Sequence, residues 1–459
     1  MSVTKPPETE KSAGFMTREQ RQDPGYFPGL AVAIPLSIQH ILAMFVSNVT
    51  PAIIVAGAAG FGYGSGDLSA LLYMIQMSML FAGIATLFQA IGFGPMGSRL
   101  PIVQGTSFAF LPIMIPLAAG QGVEAMAVLT TGAFFGGLFH AGLSFFVKRL
   151  RFMFPPLVTG LVVAMIALSL LQVGVQYAAG GVPLRGTPDY GSWQSWMLAL
   201  IVIVATFGFK FFTKGLFSSA SVLLALIVGY AVAFAMGRVE LAEVSNAGWV
   251  SVPIPFHFGV AFSVSAVVGF CLMGIVSAIE TVGDVSAIAE GGAGRAAKDE
   301  ELSGATLADG VGTAVAAIFG ALPNTSFSQN VGLIAMTGIM SRYIVALGAV
   351  FLIICGLLPK IGAAIITVPI EVLGGGVIIM FGMVASAAIT ILSGVNWTQK
   401  NMLIFALSLS LGFGLQLEPG ALQHLPDSIS IFLTSGLLPA TFLAVVLNLI
   451  LPEVDQDKT

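Results

Sequence analysis

Residues 322–342 read LPNTSFSQNVGLIAMTGIMSR and set a polar pair, Gln329 and Asn330, between two strongly apolar runs. The Pro323-Asn324-Thr325 turn before the pair, Gly332 within the run after it and the helix-length apolar stretch beyond predict a broken transmembrane element. Irregular backbone is tolerated at membrane depth only where it is buried in protein or lines a cavity, and half-helix N-termini there point N–H groups at a bound solute. The stretch therefore predicts a membrane-embedded binding site.

Composition requires the membrane independently. The 459 residues are 56% hydrophobic and 9% charged, with a mean hydropathy of +0.96, more apolar surface than a soluble core can hide. A net charge of −4 points neither to nucleic acid nor to a polybasic membrane-surface role. Cys271 and Cys355 stand inside apolar runs and read as packing residues, not as a disulfide or metal site. No cofactor or metal is expected. Residues 1–27 are charged and proline-containing without an apolar segment, which predicts a solvated tail and not a cleaved signal peptide.

A helix needs roughly 20 apolar residues to cross the hydrocarbon, and shorter pieces serve where two half-helices share one crossing. On that measure the chain divides into fourteen spans, at 28–48, 68–92, 106–118, 123–147, 155–177, 193–212, 216–236, 257–284, 302–320, 329–339, 342–358, 372–393, 400–416 and 428–450. The two short ones, third and tenth, each follow an irregular polar stretch, VQGTSF at 103–108 and PNTSFSQ at 323–329, and both stretches contain Thr-Ser-Phe. A seven-span repeat superposes them, and an odd repeat length inverts the second copy. The predicted fold is thus an all-α polytopic membrane protein of two inverted seven-span repeats, with short irregular or β stretches in spans three and ten and the site where the repeats meet.

Basic residues orient it. With a cytoplasmic N-terminus, only Arg185, Arg238 and Lys360 fall outside, and the other fifteen of the 18 Lys and Arg fall inside. The bias puts both termini of a cell-membrane protein in the cytoplasm. It fits any even span count, fourteen or twelve.

Ionisable groups at membrane depth cost about 2.5–3.5 kcal/mol each on insertion scales, so each needs a reason to be there. Glu280 and Asp284 lie four residues apart, on one face of the eighth span. Mutual repulsion on a buried face makes one of them a candidate proton carrier, unless the span ends early and Asp284 is already wet. Asp309, among small residues of the ninth span, reads either as a coupling group or as a helix-packing hydrogen bond. His40 in the first span reads either as a satisfied structural histidine or as a site-framing group. His140 reads as packing, His257 and His424 as interface residues, and Glu371 as a solvated group at a span boundary.

Several motifs together resemble the nucleobase–ascorbate transporter family, in particular its xanthine and uric acid permease branch. They are Gln329-Asn330-x-Gly332-x-x-x-x-Thr337, Gln39–Pro51 (QHILAMFVSNVTP), Gln104–Pro112 (QGTSFAFLP), Glu280–Asp284 (ETVGD) and Ala308–Gly310 (ADG). The resemblance covers essentially the whole chain. It implies a core domain of residues 28–147 (spans 1–4) and 251–358 (spans 8–11), and a gate domain of residues 148–250 (spans 5–7) and 359–450 (spans 12–14). Cytoplasmic tails at 1–27 and 451–459 complete the chain, and a homodimer through the gate domain is implied. The substrate-binding glutamate of the family maps onto Glu280 and its signature glutamine onto Gln329. Asn330, Asp309, Asp284 and His40 map onto positions important for affinity or transport, and Phe108 onto an aromatic residue beside the base. Uracil-type relatives carry Glu where this chain has Gln329.

That difference has chemical content. A carboxylate only accepts hydrogen bonds, whereas an amide donates two and accepts. Xanthine and uric acid present adjacent N–H and C=O groups, so Glu280 can accept from ring N–H groups while Gln329 pairs with a carbonyl and its neighbouring N–H. The function predicted is proton-coupled symport of xanthine, uric acid or both. The alternatives are a uracil or other nucleobase symporter, sodium coupling, and an anion transporter of the sulfate-permease type, whose substrate Glu280 would repel. A membrane enzyme is disfavoured because the sequence offers no nucleophile–base pair and no motif such as H-E-x-x-H.

Overall fold

In the computed structural model, the two Thr-Ser-Phe stretches meet. Strands β1 (Gln104–Thr106) and β2 (Asn324–Ser326) pair antiparallel, with Gly105 opposite Thr325. The ladder continues one step at each end, Ser107 N–H to the Pro323 carbonyl at 2.8 Å and Phe327 N–H to the Val103 carbonyl at 3.0 Å. All six strand residues are buried. So short a ladder is marginal by itself, and buried backbone polar groups need partners.

Helices α1 (Leu30–Ala59), α2 (Ser69–Ala90) and α9 (Asp299–Ile318) supply those partners, and α8 (Val264–Ala293) packs on β2. On β1, Thr86 of α2 accepts from the Gln104 N–H at 2.9 Å, and Asn48 of α1 accepts from the Thr106 N–H at 2.9 Å. On β2, Thr313 of α9 accepts from the Asn324 N–H at 3.0 Å and donates to the Asn324 carbonyl at 3.2 Å. The first residue of each strand is thus held by one threonine hydroxyl. Each strand leads into a short helix, α3 (Leu111–Ala118) after β1 and α10 (Ser328–Thr337) after β2.

The structure describes residues 16–65, 68–150 and 155–452. Among these, eight helices are long and apolar enough to cross a membrane, or nine if Arg342–Leu357 and Pro359–Ile366, bent by 79° at their junction, count as one. The remaining helices are α4 (Ala125–Leu143), α5 (Pro156–Ala178), α6 (Trp193–Phe212), α7 (Ser221–Ala235), α11 (Arg342–Leu357), α12 (Ile370–Ser393), α13 (Gln399–Leu417) and α14 (Leu437–Ile450), with short helical turns between them. Helix α2 packs on α11, α4 on α8 and α9, and α1 on α2 and α11; α5 packs on α12 and α14, α6 on α7 and α12, and α13 on α14. Small residues allow the closest approaches. A Cβ on Gly310 would stand 2.2 Å from the Ala141 backbone nitrogen, and one on Gly374 would stand 2.1 Å from that of Ala178.

Several boundaries differ from expectation. Helix α1 runs on to Ala59, where Gly60 takes φ 89° and caps it. Helix α8 starts at Val264 and not at 257, because 251–263 (SVPIPFHFGVAFS) turns at 255–258, with Phe256 at φ 55° and Gly259 at φ 80°, and crosses as an irregular strap. The strap donates from Ser251 N–H to the Leu357 carbonyl at 3.0 Å and from Phe256 N–H to the Ile318 carbonyl at 2.6 Å. The end of the N-terminal tail is docked where full solvation was expected. Thr17 caps the short helix Arg18–Gln22, and the Arg21 and Pro24 carbonyls accept from the Met340 and Arg342 N–H groups at 2.7 and 3.1 Å. The rest of the expected tails, residues 1–15 and 453–459, lies outside the described residues.

Candidate functional site

Helix α8 organises the site because its 30 residues carry Glu280 and Asp284 past the end of β2. Ser263 caps its start and Gly294, at φ 65°, closes its end, so both carboxylates lie well inside the helix. Asp284 is only 7% exposed, and the helix runs on past it to Ala293. Its two oxygens accept from the Ser326 and Ser328 hydroxyls at 2.6 and 2.8 Å, which ties α8 to β2 and to the first turn of α10. Glu280 is different: its Oε2 is buried with no hydrogen-bond partner among the described residues. An unpaired buried carboxylate oxygen is costly unless something else pairs with it.

Glu280 and Asp284 share a cavity of about 720 Å³ with Ser328 and Gly332 of α10, Thr159 of α5 and Thr390 of α12. The cavity follows α8 from Glu280 to the exposed Glu290, about 15 Å along the helix axis at 1.5 Å per residue. Gln329, Asn330, Phe108, Asp309 and His40 are not among its lining residues. Gln329 sits partly exposed in the first turn of α10, and Phe108 packs edge-on against Phe381 of α12, with ring centroids 5.3 Å apart at 83°.

The signature asparagine holds the histidine. Asn330 Nδ2 donates to the His40 carbonyl at 3.1 Å and faces His40 Nδ1 at 3.0 Å, so this ring nitrogen is the acceptor and the proton belongs on Nε2. The contact gives the His40 ring a partner at Nδ1 and ties α1 to α10. Asp309 is fully buried and bonded to two residues that sequence reading passed over. Gln89 Nε2 donates to its Oδ1 at 2.6 Å, and Thr281 Oγ1 is hydrogen-bonded to its Oδ2. Gln89 also donates to the Ala305 carbonyl at 2.9 Å and accepts from the Ser98 N–H at 3.2 Å, so one side chain joins α2, α9 and the loop before β1. The only sequence signal for Gln89 is a polar residue in an apolar run.

Glu371 is 7% exposed and paired with Arg238 at 3.1 Å, where a solvated boundary residue was expected; the guanidinium and the Ser195 hydroxyl at 3.3 Å compensate its burial. His140 is buried, with neither ring nitrogen hydrogen-bonded among the described residues, and His257 stacks on Tyr73 at 3.7 Å. Cys271 and Cys355 are free thiols.

Residues 32–420 match the model of the Permease family. The chain belongs to that family. Similar relatives include a putative purine permease of Clostridium perfringens, CPE0397, 39% identical over 91% of this chain and 89% of that protein. The xanthine permease XanQ of Escherichia coli K12 is 34% identical over 93% of this chain and 92% of its own length. The uric acid permease PucK of Bacillus subtilis is 35% identical over 90% of this chain and 94% of its own. These are permeases, and this permease is likewise a multi-pass membrane transporter and not an enzyme. Among solved structures, the transmembrane domain of the cyanobacterial bicarbonate transporter BicA aligns with TM-score 0.56 and 14% identity, over 90% of this chain and 97% of that one. Murine Slc26a9, an anion transporter in the inward-facing state, aligns with TM-score 0.62 and 14% identity, over 91% of this chain and 68% of that one. At such identity the likeness concerns the fold.

Proposed function

We propose that this permease imports an oxidised purine, xanthine, uric acid or both, in symport with protons by alternating access. The observation that carries the reading is Glu280 Oε2, unpaired on the wall of the 720 Å³ cavity. A ring N–H of the base supplies the missing donor, and the amide of Gln329 reads the adjacent carbonyl and N–H. The relatives named xanthine and uric acid permeases support the same substrate class. Selection against adenine follows, since adenine leaves the amide partly unpaired, at a cost of about 1–3 kcal/mol. The sulfate-permease alternative has the fold likeness in its favour, but an anion placed in this cavity would meet Glu280 and Asp284.

The fold is proposed as fourteen spans in two inverted seven-span repeats, α1–α7 and α8–α14. Support comes from the antiparallel pairing of the two Thr-Ser-Phe strands and from the matching hydroxyl clamps, Thr86 of the second helix on β1 and Thr313 of the ninth on β2. Helices α1–α4 with α8–α11 form the proposed core and α5–α7 with α12–α14 the gate, in keeping with which helices pack on which. The cavity reaches Pro155, Glu290 and Gly394, at the same helix ends as Arg295 and Lys400, so by the charge bias it opens to the cytoplasm. Both termini lie there too, in a cell-membrane protein that pairs through its gate domain.

Uptake of labelled xanthine into cells, challenged with uric acid, hypoxanthine, adenine and uracil, tests the substrate reading. Competition by unlabelled xanthine or uric acid with little effect of adenine and uracil is expected. Adenine or uracil competing as well as xanthine contradicts it.

A further inference from the structure

Thr281 has one hydroxyl hydrogen and two acceptors within reach. Its Oγ1 lies 3.0 Å from the Ser277 carbonyl and is also hydrogen-bonded to Asp309 Oδ2. A hydroxyl donates once and accepts through its lone pairs, so the two contacts admit two arrangements. When Asp309 is ionised, Thr281 donates to Oδ2, and the Ser277 carbonyl relies on its helical partner. When Oδ2 carries a proton, Asp309 donates to Thr281 Oγ1, and the Thr281 hydrogen turns to the Ser277 carbonyl. Gln89 Nε2 donates to Oδ1 in both. We propose that Thr281 is a positioning residue for proton coupling, a hydroxyl rotor that satisfies Asp309 in both protonation states.

The proton balance is simple. One O–H bond forms, on Asp309 Oδ2, with a proton delivered from solvent, and the Thr281 hydrogen changes acceptor without leaving its oxygen. Nothing else gains or loses a proton. No side chain beyond a hydroxyl rotation needs to move, although Asp309 and Thr281 are both fully buried. Thr281 follows Glu280 directly in α8 and sits one turn before the end of the Glu280–Asp284 interval, so the change is felt on the helix that carries the unpaired carboxylate.

The groups facing Asp309 leave this pair as the site of the change. Helix α2 presents Gln89 and strand β1 presents Gln104, neither of which titrates, and α8 presents Glu280 and Asp284; the titratable side chain within α4, which packs on α9, is the buried His140. The strands carry no titratable side chain, and Arg99, Arg149, Glu300 and Glu301 belong to the cytoplasmic ends of the elements packed there. Asp284 accepts from two serine hydroxyls, Ser326 on one oxygen and Ser328 on the other.

The inference rests on the proton-coupled reading, and two measurements keep the two apart. The first is infrared spectroscopy of the purified permease across a pH series, with the Asp309 carboxyl band identified by its loss in Asp309→Asn. Thr281→Val removes the hydroxyl at nearly constant volume and takes away a charge-assisted bond from the ionised state but only a neutral one from the protonated state. The band should persist to about one pH unit higher in Thr281→Val, while Thr281→Ser keeps the wild-type profile. A Thr281→Val profile that overlays the wild type, or one that Thr281→Ser shares, overturns the rotor. If Thr281→Val does not fold, Thr281→Cys, with its weak S–H donor, serves instead and should move the band the same way. The second measurement is wild-type uptake with a protonophore present. Unimpaired accumulation there overturns proton coupling itself, and the infrared series still decides whether Thr281 serves both states of Asp309.

Discussion

Asn330 and His40, 290 residues apart, are joined through a single amide nitrogen that meets the histidine at its ring and at its backbone carbonyl, 3.0 and 3.1 Å away. The pair docks the first turn of α10 on α1, next to the strands. His40→Ala leaves the Asn330 amide with an unmet donor in a buried site, a penalty of about 1–3 kcal/mol. Uptake by His40→Ala at normal membrane abundance should fall roughly 5- to 150-fold. Unchanged uptake would show that α10 is held without this contact.

Gly105 lies beneath the ring of Phe327, and a Cβ there would come within 1.9 Å of Phe327 Cε2. No rotamer of alanine avoids that overlap, so Gly105→Ala must displace either the ring or the β1–β2 ladder. A lowered melting temperature in detergent and lost xanthine binding are expected, with partial recovery in Gly105→Ala/Phe327→Leu. Gly105→Ala with wild-type melting and binding would contradict the packing.

Gln329→Glu exchanges an amide for a group that only accepts. Affinity for xanthine and uric acid should fall by about 1–3 kcal/mol, measured as a dissociation constant by equilibrium binding at neutral pH. If affinity for every substrate is unchanged, Gln329 does not touch the base.

Asp309→Asn keeps an oxygen for Gln89 and offers Thr281 a permanent donor, the arrangement of the protonated acid. Binding and exchange should survive while net accumulation is lost, because binding and reorientation are separate steps. In the wild type, uptake should fall as external pH rises and collapse with a protonophore whatever the sodium concentration. Active accumulation by Asp309→Asn with an unaltered pH dependence would exclude Asp309 from coupling.

Much of this site can be read from local pattern. Glu280 and Asp284 stand out because carboxylates at i and i+4 in an apolar run have few structural uses, and the Thr-Ser-Phe stretches because polar, turn-forming residues interrupt two short apolar segments. What escapes is whatever depends on a distant partner. Gln89 meets Asp309 across 220 residues, and Thr86 and Thr313 gain their meaning only when each strand arrives beside its hydroxyl. In sequence, each of them is a lone polar residue in a membrane helix. The start of α8 differs from expectation for another reason: 257–263 is apolar enough to extend a span, yet Phe256 at φ 55° and Gly259 at φ 80° take left-handed backbone that a helix cannot run through. The docking of residues 17–24 likewise depends on backbone carbonyls, which composition does not reveal.

The central claim is that Glu280 pairs with the purine, and equilibrium binding of labelled xanthine and uric acid to purified wild type and Glu280→Gln tests it most directly. The amide keeps the size of the side chain and removes the negative acceptor, so Glu280→Gln should reach the membrane at wild-type abundance and bind neither purine measurably. Wild-type affinity for both purines in Glu280→Gln would contradict the assignment of the site.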